Sequence, residues 1–270
     1  MDVSGKVTVI TGAGSGIGAA LARRMGAAGA RVMVSDLDEA AAAKVAADIG
    51  SVSCACDVGR EANLRALIAK TENVLGSVDI FVSNAGLGRG DPDHAASAPD
   101  ADWDLNWRVH VMAHVWAARA LLPALIARGS GYFVNVASAA GLLNQIGDAA
   151  YSATKHAAVS FAESLAITHG RDGIGVSVLC PQYVATPLIG LGDQDAAGRD
   201  TLLTADDVAR AVMDGVSEDR FLILPHPQVA DYARHRATDH ERWIAGMQAL
   251  RGKVIDTFGA VRPQEMYKLV

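Results

Sequence analysis

The chain has 270 residues, half of them hydrophobic, with 24 Lys and Arg against 30 Asp and Glu and a formal net charge of −6. It is long enough to bury a sizeable core and too apolar for intrinsic disorder, and the mild acidity without any basic run argues against a nucleic-acid or membrane-surface binder. No apolar run reads as a membrane span, and the first six residues lack the basic-then-apolar layout of a signal peptide, so the expectation is a cytoplasmic protein.

Residues 6–11 form a short apolar run that predicts the first strand. Gly12, Gly14, Gly16 and Gly18 follow, and then a helix over 19–28. A glycine-rich turn between strand and helix lets backbone N–H groups approach a phosphate. Residues 31–36 predict a second strand ending at Asp36, eighteen residues after Gly18. An acid at about that spacing can accept hydrogen bonds from an adenosine ribose and repel a 2′-phosphate. No Arg or Lys lies in the glycine loop or directly after Asp36, which favours NAD over NADP. Asp36 would otherwise cap the helix over 38–49, a role that Asp38 fills equally well.

The alternation continues with a strand over 51–57, a helix over 61–75 and a strand over 78–82 that leads into Ser83, Asn84, Ala85 and Gly86. After a polar loop at 87–101 comes a long helix over 102–128, then a strand over 132–136 ending at Ser138. A helix over 151–169, a strand over 174–179, a loop over 187–203, a helix over 205–216 and a strand over 221–224 complete the pattern. Strands alternating with helices predict an α/β fold: a Rossmann-type, doubly wound parallel sheet of about seven strands in a single domain. Cys54, Cys56 and Cys180 read as small core residues, because no His or carboxylate cluster completes a metal site.

In such a sheet, ligands bind outside the carboxyl ends of the strands. The glycine loop, Asp36, Asp57, Asn84 to Gly86, Ser138 and the segment 181–186 all fall there. Tyr151 and Lys155 lie one turn apart on one helix face, and a nearby ammonium favours the ionised phenol. A hydroxyl, a phenol and an ammonium beside a dinucleotide are the equipment for hydride transfer coupled to proton transfer at oxygen.

At these motifs the sequence resembles the classical short-chain dehydrogenase/reductase family. The loop from Thr11 to Gly18 matches its cofactor loop, and Ser83 to Gly86 its N-N-A-G motif with Ser83 for the first Asn. Ser138, thirteen residues before Tyr151, matches its serine, and Tyr151 with Lys155 its Y-x-x-x-K. Pro181 to Thr186 resembles P-G-x-x-x-T with Gln182 for the Gly, and the match runs from about residue 4 to 226. The resemblance implies Tyr151 as acid/base, Lys155 as its modulator and a nicotinamide-ribose ligand, and Ser138 as a donor to the substrate oxygen. It places Gly12, Ser15, Gly16, Ile17, Gly18, Leu37, Asp57, Val58, Asn84, Ala85, Gly86, Pro181, Val184 and Thr186 around the cofactor, with Asp57 and Val58 at the adenine. It also implies a homodimer or homotetramer joined through the helices at 102–128 and 151–169.

The family's fourth catalytic residue is an Asn seven residues after a Trp and thirteen before a Pro. Counting from Trp103 and from Pro123 lands on His110, so the expectation is that a titrating imidazole serves the proton relay, against a packed or interface histidine as the alternative. His114, one turn on, reads as interface packing rather than half of a metal pair. If the turn at Gln182 needs positive φ, a non-Gly residue there costs about a kcal/mol. Forty-four residues follow His226, with one helix over 228–251 that could close over the substrate, pack on a neighbouring subunit or cover its own domain. Leu142, Leu143, Gln145, Ile146, Leu188, Ile189 and Leu191 are expected to line an apolar pocket for a lipophilic secondary alcohol or its ketone. The competing expectations are an NADPH-dependent oxoacyl-thioester or carbonyl reductase and a catalytically silent dinucleotide sensor.

Overall fold

The computed structural model describes residues 1–199 and 201–269. Strands β1 (Val7–Ile10), β2 (Arg31–Asp36), β3 (Val52–Ala55), β4 (Ile80–Ser83), β5 (Gly131–Val136), β6 (Ile174–Leu179) and β9 (Leu222–Ile223) form one sheet in the order β3-β2-β1-β4-β5-β6-β9. Every pairing is parallel, with Thr8 beside Val32 and Ile80, and Phe81 beside Phe133. Their sequences are continuous apolar runs because both faces are covered. Neighbouring residues serve opposite sides, as strand geometry requires. Ile10, Val34 and Val134 pack under α1 (Gly16–Ala27), α2 (Glu39–Asp48) and α9 (Ala205–Ser217) through Leu21, Met25, Val45 and Val208. Val9, Phe81 and Phe133 pack under α3 (Glu61–Leu75), α5 (Ala113–Arg128) and α7 (Ala149–His169) through Leu64, Leu67, Leu121 and Leu165.

The order reverses between β1 and β4, which run parallel on either side of the point where the chain crosses the sheet. Their carboxyl ends therefore diverge into the glycine loop and the Ser83–Gly86 segment and open a crevice. A smaller pair, β7 (Tyr183–Ala185) with β8 (Leu202–Thr204), brackets the predicted loop over 187–203, β8 taking in its last two residues, with α8 (Asp193–Ala196) between them. Neither strand carries a periodic signal long enough to read, since each has three residues.

The predicted long helix forms, with one wider turn inside it. α4 (Asp100–Trp107) runs into a turn of π-helix at Arg108–Met112 before α5 begins. Together they make a continuous helix, Asp100–Arg128, that is long and apolar enough to cross a membrane by length and composition, contrary to the reading of the sequence. Half of its apolar stretch is buried inside this fold, against α3, α7 and the sheet. Trp107, Ile126 and Ile167 leave large apolar side chains exposed on the helices expected to form a subunit contact.

The tail is also two helices rather than one. α10 (Gln228–Thr238) stops at Asp239, whose φ of −145° and ψ of 89° leave the helical region. The Asp239 carboxylate then accepts the Arg242 N–H at 3.0 Å and caps α11 (His240–Phe258). An aspartate offers the backbone this alternative bond, and periodicity alone does not reveal it. Val229 packs on Ala139 and Leu143, while Val254, Met266 and Tyr267 pack on Tyr183, Ala185 and Leu202. The extension thus lies against its own chain, at the carboxyl end of the sheet.

Candidate active site

β1 ends where the chain must turn tightly over β4. Gly12 has a φ of +61°, and a Cβ there would stand 2.7 Å from Ala85 Cα. A Cβ on Gly18 would stand 2.3 Å from the Gly12 carbonyl oxygen and 2.5 Å from Asn84 Nδ2, so only glycine lets α1 start this close to the sheet. Asn84 locks the arrangement: its amide donates to the carbonyls of Thr11 at 2.9 Å and Gly12 at 3.0 Å. α1 has no acidic residue in its first turn, and its N-cap Ser15 makes no side-chain cap bond. Its first N–H groups are left for a ligand.

This turn forms one end of a cleft of about 770 Å³. Sixteen of the seventeen predicted cofactor residues open onto it: Gly12, Ser15, Gly16, Ile17, Asp36, Leu37, Asp57, Val58, Asn84, Ala85, Gly86, Tyr151, Lys155, Pro181, Val184 and Thr186. Gly18 does not; it is the packing contact just described. Asp36 accepts from the Gly14 N–H at 2.8 Å and the Asp38 N–H at 3.0 Å. The cap of α2 is Asp38, which accepts from Ala41 N–H at 3.0 Å, so the capping alternative for Asp36 is not realised. Asp57 is held by the Gly59 N–H at 2.9 Å and by Arg60. The cradle of glycines, the free helix N-terminus and the acid at its rim fit a dinucleotide.

At the other end of the cleft, Ser138 leaves β5 and Tyr151 and Lys155 stand in the first turns of α7. Asp148 starts that helix by accepting the Tyr151 N–H at 3.0 Å. Lys155 Nζ lies 5.5 Å from the centre of the Tyr151 ring and donates to the Val136 carbonyl at 3.0 Å. Burial pulls the ammonium down to about 8. Burial pushes the phenol up to about 12, while the Ser138 hydroxyl draws it back the other way. Desolvation, which disfavours the phenolate, sets the direction here rather than the ammonium neighbour.

His110 does not open onto the cleft, and it does not titrate near neutral pH as expected. It lies in the π turn, fully buried, with its ring edge-on to Tyr151 at 5.3 Å between centroids. Nε2 accepts the Leu87 N–H at 3.1 Å, which puts the proton on Nδ1, facing Thr154 Oγ1 at 3.0 Å. Burial, with the Lys155 charge second, holds its pKa well below the usual value. Both nitrogens are thus spent tying the Gly86–Leu87 segment to α7. His114 is buried within the fold rather than set at an interface, and burial lowers it to about 3. Asn106 donates to the carbonyls of Arg89 and Asp102, each at 2.7 Å, and serves the loop.

Gln182 carries no positive φ, so the expected backbone cost of replacing glycine does not arise. A residue that sequence reasoning missed holds this turn. Buried His226 accepts the Gln182 N–H on Nδ1 at 3.1 Å and donates from Nε2 to the Tyr183 carbonyl at 3.0 Å. A lone histidine after the last strand carries no signal for that role.

The predicted pocket residues separate. Gln145, Leu188 and Ile189 line the cleft. Leu143 and Ile146 face a second cavity, Leu142 packs between core clusters, and Leu191 packs under the tail. The cause is α6 (Ala140–Leu143), a single helical turn that swings those leucines away. Asn144 ends it with a φ of 77° and a ψ of 142°, a strained conformation for a side chain-bearing residue. Strain of this kind costs about 1–3 kcal/mol, and glycine's extra unfolded entropy about 0.5–1 kcal/mol. Asn144→Gly should therefore raise the denaturation midpoint, by about 1 kcal/mol in stability. An unchanged or lower midpoint would show that the loop holds this backbone without strain.

Comparison with known proteins adds the following. The model of the short chain dehydrogenase family matches residues 6–195. The 1-deoxy-11-beta-hydroxypentalenate dehydrogenase of Streptomyces exfoliatus is 32% identical over 252 residues, 91% of this chain and 92% of that one. The mitochondrial borneol dehydrogenase of Lavandula x intermedia is 30% identical over 237 residues, covering 85% of this chain and 90% of the relative. Among solved structures, a short chain dehydrogenase/reductase from Burkholderia phymatum in complex with NAD superposes with a TM-score of 0.81 at 30% identity, covering 89% of this chain and 96% of that one.

Proposed function

The chain belongs to the short-chain dehydrogenase family and is an oxidoreductase, and on that premise we propose that it interconverts a secondary alcohol and a ketone with NAD. One observation carries the reading: Ser138, Tyr151 and Lys155 open onto the same cleft whose far end is rimmed by Asp36. The solved relative that holds NAD and the relative named as a borneol dehydrogenase support it.

When bound, the nicotinamide supplies the hydride acceptor or donor. The chain's own residues do the rest. Ser138 Oγ orients the substrate oxygen, and Tyr151 Oη gives it a proton or takes one. Lys155 places a positive charge beneath the phenol ring, and the Val136 carbonyl fixes that charge in position. The His110 bridge between Leu87 and Thr154 holds the loop of Gly86 at the cleft wall, and the His226 clamp holds Gln182 and Tyr183 opposite.

Asp36 supports NAD over NADP, because its carboxylate is already fixed by two N–H donors and exposed Leu37 beside it offers nothing to a phosphate. Fluorescence titration should show NADH binding at least about tenfold tighter than NADPH, the ratio that roughly 1.4 kcal/mol of like-charge repulsion provides. Tighter NADPH binding would overturn the assignment in favour of an NADPH-dependent reductase. A screen of secondary alcohols followed by NADH absorbance tests the activity, and a chain that binds NADH but oxidises none of them would be a sensor.

A further inference from the structure

The second cavity, about 590 Å³, lies between the 139–146 segment and the α10–α11 hairpin. Here Leu143, Ile146, Trp243, Met247, Leu250 and Met266 line a space large enough for a small organic molecule. His235, Asp239 and Arg242 form its polar corner.

Gln145, Gln182 and Tyr183 line both this chamber and the catalytic cleft, so they are the wall between the two. His226 clamps the backbone of Gln182 and Tyr183, but the Gln145 side chain is held loosely. The Gln145 amide divides itself among the Ile146 carbonyl at 3.3 Å, the Tyr183 hydroxyl at 3.3 Å and Met266 Sδ at 3.5 Å. The two contacts to oxygen are long, the sulfur is a weak acceptor, and methionine adapts its shape readily. Swinging Gln145 aside breaks no strong bond.

We infer that the two cavities form one bipartite substrate site. The reacting carbinol sits by Ser138 and Tyr151, and an elongated apolar body passes Gln145 and Tyr183 into the chamber beneath α10 and α11. This assigns the C-terminal extension to substrate selection, and the substrate class to long apolar secondary alcohols or their ketones. The inference rests on the alcohol-dehydrogenase reading for its reacting end only.

The test uses the full-length protein, 2-alkanols from 2-butanol to 2-decanol, and Gly246→Phe. Gly246 lines the chamber from α11, and a Cβ there meets nothing within 4 Å, so an added ring takes up space at the chamber wall without moving the backbone. In the wild type, kcat/KM should climb by about fourfold for each methylene that enters the chamber. In Gly246→Phe the climb should stop several methylenes earlier. A second arm needs no turnover: 2-decanone titrated calorimetrically should bind at least about tenfold more weakly to Gly246→Phe, the loss of two methylenes' burial or more. A flat length profile beside active turnover of short alcohols, or equal 2-decanone binding by both proteins, overturns the bipartite site. Binding that depends on Gly246 without turnover of any alkanol supports the chamber and overturns the alcohol-dehydrogenase reading instead.

Discussion

Tyr151→Phe is expected to lower kcat by about 10²–10⁴-fold, the range that a positioned general acid or base contributes, while NADH affinity changes little. The substitution removes one oxygen and keeps the ring that packs against His110 and over Lys155. The structure also predicts a direction. Burial raises the phenol to about 12, so at neutral pH Tyr151 holds its proton and is set up as the donor for ketone reduction. Alcohol oxidation needs the phenolate, whose fraction grows tenfold per pH unit below its pKa. The oxidation rate of the wild type should therefore rise with pH above neutrality while the reduction rate does not, and Tyr151→Phe should lose that dependence. Turnover of a screened alcohol by Tyr151→Phe at the wild-type rate would remove Tyr151 from the mechanism.

Lys155→Met is the second large effect, and it should act on activity and stability in opposite senses. Turnover should be lost, because the charge beneath the phenol goes. Stability near pH 7 should rise. Burial lowers the ammonium from its ordinary 10.5 to about 8. A folded-state pKa below the unfolded one means that the unfolded chain binds the proton more tightly. The folded state thus carries its full penalty below pH 8 and sheds it as pH rises from about 8 to 10.5. A shift of this size is worth about 3 kcal/mol. Against it, methionine leaves the buried Val136 carbonyl without its donor, a cost of about 1–3 kcal/mol. Lys155→Met should then be more stable than wild type by about 1 kcal/mol at pH 7 and less stable above pH 10, with the difference moving by about 3 kcal/mol across the window. Denaturant titrations at the two pH values measure it, and a difference that does not change with pH would refute the buried, charged lysine. On the proposed mechanism, the site keeps a group that costs folding energy because the chemistry uses it.

Those two residues mark where the sequence was informative. Tyr151 and Lys155 meet because one helix turn separates them, a relation that follows from local geometry. The glycine loop between β1 and α1, the acid ending β2 and the β/α alternation are likewise short-range patterns, and of the seventeen residues that these motifs and the family resemblance place around the cofactor, sixteen line one cleft. Long-range contact decided the rest. The direction in which the Tyr151 phenol is shifted depends on desolvation by residues scattered through the chain, whereas the sequence argument saw only the neighbouring charge. His110 holds its position in the motif, but Leu87 and Thr154 occupy both its nitrogens. Leu142 and Leu143 turn away because Ala140–Leu143 coils into one helical turn too short to leave a periodic signature. The tail breaks at Asp239 and folds back over Ala139, Leu143 and Tyr183, residues about a hundred positions or less away in sequence and in contact only once the sheet has formed. Spacing brought Tyr151 and Lys155 together at one end of the cleft; packing decided the space beyond it, because cavities and burial are sums over residues that no sequence window contains together.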